Sequence, residues 1–193
     1  MGKLPEQSSA PLDLRTVDEE SVGGVKRRKI TFVSELIAGK ADRVSAYLLI
    51  PEGASRSRKA AAVLCLHQTT RLGKGEPAGL GGKPDLHYAL ELARRGYVAL
   101  APDYPNFGGY AFDPYANGYA SATMKGIVNH RRAIDLLQSL PEVDSARVGV
   151  IGHSLGGHNA LFLAAFDDRA KAIVTSCGFT SFAKYQKGDL RVC

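Results

Sequence analysis

Between residues 147 and 158 the chain reads Arg-Val-Gly-Val-Ile-Gly-His-Ser-Leu-Gly-Gly-His, and the residue in it that could form and break a bond to a carbonyl carbon is Ser154. A serine hydroxyl is a poor nucleophile unless it is lifted clear of its neighbours and set beside a base. Val148, Val150 and Ile151 read as a short buried strand, Gly152-His153-Ser154-Leu155-Gly156 fits G-x-S-x-G, and a helix-compatible apolar run follows. The pattern therefore predicts a sharp strand-to-helix turn with Ser154 at its strained apex. Glycines at 152 and 156 let strand and helix pass close together. The free N–H groups and positive dipole end of the helix then face the place where an oxyanion would form, with Leu155 N–H as the first donor. The five-residue pattern alone also occurs in purely structural turns; its apolar flanks give it meaning here.

The elements that must position this turn follow from periodicity. Residues 1–24 are polar, carry Pro5, Pro11, Asp18, Glu19 and Glu20, and read as a loosely ordered arm; residues 25–193 form the folded part. Two strand patterns at 25–34 and 43–51, joined by a turn at 38–42, predict an antiparallel entry pair. Residues 60–66 form a continuous apolar run typical of a strand buried on both faces. The glycine-rich stretch 70–84 is a loop. A helix capped by Asp85 is expected over 85–95 with Gly96 as its stop, then a strand at 97–101. Residues 104–119 hold Tyr104, Phe107, Tyr110, Phe112, Tyr115 and Tyr119; aromatics this dense in a loop either pack it onto the body or line a pocket, and self-packing is the plainer reading. A helix over 121–140 places His130 and Arg131 on its solvent side, and a last strand is expected at 171–177. Strand and helix in alternation mean an α/β fold: a mostly parallel sheet with helices on both faces.

Composition narrows the function classes. The 193 residues carry a net charge of +6, but the basic residues are dispersed apart from Lys26-Arg27-Arg28-Lys29, which lies in a strand pattern and reads as a solvated or edge face; no nucleic-acid partner is expected. No apolar run reaches membrane-spanning length, and residues 1–12 lack a signal-peptide core, so no membrane partner is expected either. Three cysteines, Cys65, Cys177 and Cys193, have no C-x-x-C spacing; they argue against a disulfide scaffold and a zinc site and fit a reducing, cytoplasmic location, with Cys65 and Cys177 as buried apolar side chains. Gly73-Lys74-Gly75-Glu76-Pro77-Ala78 mimics a dinucleotide fingerprint, but Pro77 stands where a helix should open. No cofactor and no metal are expected.

The runs at 43–51, Leu-Cys-Leu-His-Gln at 64–68, Ala-Pro-Asp-Tyr at 101–104 and the whole stretch 141–157 resemble the α/β-hydrolase superfamily, most closely the branch of dienelactone hydrolases, acetyl-xylan-type esterases and prolyl-oligopeptidase domains. The resemblance covers residues 25–178. It implies acyl transfer from a small carboxylic ester to water: Ser154 attacks, the N–H groups of Leu155 and Thr69 hold the oxyanion, and a histidine paired with an acid removes the proton.

The chain departs from that pattern after Ser154. The superfamily order is Ser, acid, His, yet only 39 residues follow the serine, with Asp167, Asp168, Asp189 and one histidine, His158, which points along its helix. His153 flanks the serine as a scaffold residue, His67 lies near the oxyanion loop as an accessory candidate, and His87 reads as a surface residue. About six strands of the roughly eight in a full sheet are accounted for, so the expectation is a C-terminally shortened hydrolase with impaired activity. The alternatives are a non-catalytic scaffold or binding protein, or a fragment of a serine peptidase. An unpaired sheet edge would allow homo-oligomers.

Overall fold

The computed structural model describes residues 3–180. In chain order the elements are β1 (Arg15–Val22), β2 (Val25–Ile37), β3 (Lys40–Pro51), β4 (Ala60–Leu66), α1 (Tyr88–Arg94), β5 (Val98–Pro102), α2 (Ala122–Ser139), β6 (Val143–His153), α3 (Leu155–Phe166) and β7 (Ala170–Ser176). The sheet runs β1-β2-β3-β5-β4-β6-β7. Pairings are antiparallel from β1 through β5 and parallel among β5, β4, β6 and β7, so five of these seven strands point the same way. This is the mostly parallel α/β sheet that the alternating pattern requires.

Alternation along the central strands splits the core in two. Ala62, Leu64 and Leu66 of β4 and Val98 and Leu100 of β5 face α2 and α3, together with Ile127, Ile134, Leu137 and Leu163. Cys65, Ala99 and Ala101 face the other way, against Ala89, Leu90 and Ala93 of α1. Both faces of β4 and β5 are covered, which is why these strands read as unbroken apolar runs. The small side chains on the α1 side let that short helix sit close to the sheet.

Four features differ from the sequence expectation, each for a physical reason. Residues 15–22 form an edge strand instead of a loose arm; its side chains are almost all exposed, so hydropathy gives no sign of it. The ladder to β2 and cross-strand charge pairs hold it: Glu20 to Arg27 at 2.8 Å, Glu19 to Arg28, and Glu19 to Lys26 at 3.6 Å. The basic run 26–29 is thus interior to the sheet, and buried Arg27 also donates to Ala78 O at 2.7 Å. Next, the helix expected over 85–95 is broken at His87: Pro84–Leu86 form a separate single turn, and α1 has no side-chain cap. His87 is half-buried, its Nε2 2.9 Å from Gly81 O.

His130 is the third difference. It is buried rather than exposed, because α2 is wedged among β2, β6 and α3 and has an apolar environment on most of its circumference. The helix starts as expected, with Ser121 Oγ accepting from Met124 N at 3.1 Å. Fourth, Cys177 is exposed, because it follows β7, the last strand of the described residues, whereas Cys65 is buried and burial pushes its thiol pKa up.

The aromatic loop packs onto the body. Tyr104, Tyr110, Phe112 and Tyr119 are buried. Lys125, fully buried on α2, sits 4.6 Å from the Phe112 ring centre and 5.3 Å from that of Tyr119, and pairs with Glu35 and, at 2.6 Å, with Asp42. Tyr119 OH donates to Glu35 at 2.5 Å and Tyr110 OH to Asp42 at 2.7 Å. One buried ammonium thus ties the β2–β3 hairpin end, the loop and α2 together.

Candidate active site

Ser154 sits between β6 and α3 with φ +52° and ψ −115°, a left-handed conformation that costs a non-glycine residue about 1–3 kcal/mol. Its surroundings enforce that geometry. Ser154 N donates to Ser176 O at 2.8 Å, and Ser154 O accepts from His158 N at 2.9 Å. A Cβ at Gly152 would lie 2.2 Å from the Gly156 carbonyl carbon, and one at Gly156 would lie 1.8 Å from Leu66 O. Strand, turn and helix are therefore in backbone contact with one another and with the end of β4, which only glycine at 152 and 156 permits.

Two main-chain amides that the sequence offers as oxyanion donors are unspent. Leu155 N–H, the first of α3, and Thr69 N–H, in the exposed turn after β4, have no acceptor among the described residues. Ser154 is partly exposed, and its Oγ has no hydrogen-bond partner among them. A free hydroxyl at a helix N-terminus whose first N–H is unspent has the chemistry to attack a carbonyl and stabilise the oxyanion that forms.

The histidines are occupied elsewhere. His67 is buried; its Nε2 accepts from Tyr104 N at 3.0 Å, which makes Nδ1 the donor to Gln68 O at 2.6 Å. Both ring nitrogens are used, and burial holds its pKa below the ordinary range, so the imidazole is a neutral brace with no free lone pair for Ser154. His153 Nδ1 shares a hydrogen bond with Ser176 Oγ at 3.0 Å and links the turn to β7. His158 is half-buried against the Phe162 ring at 4.6 Å, and burial lowers its pKa. Burial also drives His130 down to about 3.

Of the acids, Asp167 is committed. Burial alone would raise its carboxyl pKa, but hydrogen bonds and charge from Arg169, at 2.6 Å, with Arg131 nearby, outweigh burial and hold it low. Asp168 is exposed on the turn before β7, and Asp189 lies outside the described residues. Among the described residues no group of three or more His, Cys, Asp or Glu side chains could hold a metal ion, and no helix is long and apolar enough to cross a membrane.

Two supports were not singled out from the sequence. Tyr88, the first residue of α1, donates its hydroxyl to Leu66 O at 2.5 Å, the same carbonyl against which Gly156 packs. Asp103, wholly buried after β5, accepts from Lys74 N and Gly109 N at 2.8 Å each and pairs with Lys74 Nζ at 2.6 Å. That carboxylate fastens the glycine-rich loop to the aromatic loop. A polar residue directly after a buried strand is the only trace it leaves in the sequence.

Residues 45–188 match the dienelactone hydrolase family. The uncharacterized protein PA2218 of Pseudomonas aeruginosa is 29% identical over 172 residues, which is 85% of this chain and 40% of that protein. Its crystal structure superposes with a TM-score of 0.62 at 26% identity, over 98% of this chain and 52% of that one. The quorum-quenching protein AidA of Acinetobacter baumannii is 31% identical over 105 residues, 53% of this chain and 34% of AidA. An acetyl xylan esterase from a Paenibacillus species gives a TM-score of 0.64 at 22% identity, covering 84% of this chain and 53% of the esterase. The chain thus spans about half, or less, of the length of these proteins.

Proposed function

The chain belongs to the dienelactone hydrolase family, within the α/β-hydrolase superfamily, and from that membership we propose that it is a serine hydrolase acting on a small carboxylic ester. Ser154 Oγ attacks the carbonyl carbon, the N–H groups of Leu155 and Thr69 take the developing oxyanion, the alcohol leaves, and water hydrolyses the acyl-enzyme. The observation that supports this reading is the left-handed Ser154 held between Gly152 and Gly156 at the start of α3. A lactone, the substrate type in the family's description, is itself a carboxylic ester.

Turnover is weak in the chain alone. His67 is spent on backbone groups, Asp167 on Arg169, and His158 packs on Phe162. Loss of the triad histidine typically costs on the order of a millionfold in kcat, leaving oxyanion and binding contributions. A fluorophosphonate probe tests the proposal: the full chain should label at one site, and Ser154→Ala should abolish it. Absence of labelling from pH 6 to 9 would refute the nucleophile.

The same commitment of the histidines favours a second reading, a non-catalytic scaffold that holds an acyl compound or associates through β7, where Val174 is half exposed. Saturable ester binding without labelling would select it.

A further inference from the structure

At the opposite end of the sheet from Ser154, where β4, β5 and β6 begin, lies a cleft of about 320 Å³. Its walls carry four cations, Arg58, Lys59, Arg95 and Arg147, and no carboxylate, along with Gly53 and Tyr97. Arg95 and Arg147 are each partnered at the exposed rim, by Glu91 at 3.0 Å and Asp144 at 2.7 Å. Arg58 and Lys59 form no ion pair among the described residues.

Arg58 is moreover set in place before any ligand arrives. Its Nε donates to Gly53 O at 2.6 Å, its main-chain N–H donates to Ser55 Oγ at 3.1 Å, and its Nη2 occupies the space where a Cβ on residue 53 would be, 2.0 Å away. A guanidinium with its carbon-side nitrogen fixed and its outer N–H groups free presents a fork suited to a phosphate oxygen pair. Tyr97, 39% exposed, supplies a flat wall. The volume is at the lower end for small-molecule sites and far below what a nucleic-acid groove needs.

We propose that this cleft is a binding site for a small polyanion bearing at least two phosphate groups, one held by Arg58 and Lys59 and the next reaching the half-neutralised Arg95 and Arg147. The proposal is independent of catalysis at Ser154, being some seven strand residues away along β6 and on the other rim of the sheet.

Inorganic pyrophosphate is the probe. Calorimetric titration of the full chain at low salt should show saturable binding with one site, weakening as sodium chloride is raised. Arg58→Gln should lower the affinity about tenfold, the loss of one charge-assisted hydrogen-bonded fork. Because that change also loosens the 53–58 turn, Lys59→Gln serves as a second variant; it disturbs no hydrogen bond of the fold and should also weaken binding several-fold. Ser154→Ala should bind like the parent. No saturable heat, the parent's affinity in both cation variants, or loss of binding in Ser154→Ala would each overturn the proposal.

Discussion

Replacing Gly156 by alanine separates the close-contact argument from ordinary helix chemistry, because the two pull in opposite directions. Gly156 lies inside α3, where alanine is the better helix former by about 1 kcal/mol. Its added Cβ, however, would stand 1.8 Å from Leu66 O, 2.5 Å from Leu66 C and 2.9 Å from His67 O. All three are main-chain atoms and cannot rotate aside. Restoring a contact of about 3.5 Å requires α3 and the end of β4 to part by roughly 1.7 Å. Overpacking of this kind costs about 1–3 kcal/mol, and the upper end applies where backbone must move. The net loss is then about 2 kcal/mol, a fall in Tm of roughly 4–8 °C for a chain of this size. The functional loss is larger: a displacement of about 1 Å between nucleophile and oxyanion donors is worth about 100-fold. Thermal melting and the rate of fluorophosphonate labelling measure the two effects. Gly149→Ala is the control, since its Cβ would meet Ala172 O at 3.4 Å and Ala172 Cβ at 3.8 Å, both ordinary contacts. If Gly156→Ala melted and labelled like the parent, the claim that the turn rests directly on β4 would fall.

Tyr88→Phe removes the hydroxyl that fixes Leu66 O; stability should drop by about 1 kcal/mol in urea titrations and Ser154 labelling should slow several-fold, with substrate-like inhibitor affinity unchanged. Lys125→Met leaves the partly buried Glu35 and Asp42 without their cation and should destabilise by about 3 kcal/mol, the lower end for a broken buried pair, in the same assay. His130 makes stability pH-dependent. Its folded pKa is depressed to about 3 by burial, so between the unfolded value of 6.5 and about 3 the unfolded chain binds a proton that the folded chain does not. Stability should therefore fall as pH drops below 6.5, by up to about 1.4 kcal/mol per pH unit. His130→Leu should flatten that slope in urea unfolding at pH 7, 6 and 5; an unchanged slope would assign it to other groups.

What could be read from the chain depended on whether a residue's role was local. The Ser154 turn was legible because glycine spacing and apolar flanks impose it within five residues. The central strands and α2 were legible because burial on one or both faces shapes their hydropathy. β1 was not, because its stability comes from a ladder and from charge pairs with residues 26–28, and an exposed acidic strand looks like an arm. His130 looked exposed because helical periodicity assumes one wet face, and α2 has almost none. His67 could be placed near the oxyanion turn, but not its commitment, since its partner Tyr104 N–H is 37 residues away.

Among the described residues the two outer strands of the sheet differ in charge. β1 exposes Asp18, Glu19 and Glu20, the last two paired with Lys26, Arg27 and Arg28 of β2, and a charged edge of this kind disfavours a strand brought alongside. β7 carries a single charge, Lys171, and leaves Val174 half uncovered. A strand brought alongside β7 would therefore meet fewer charges than one brought alongside β1.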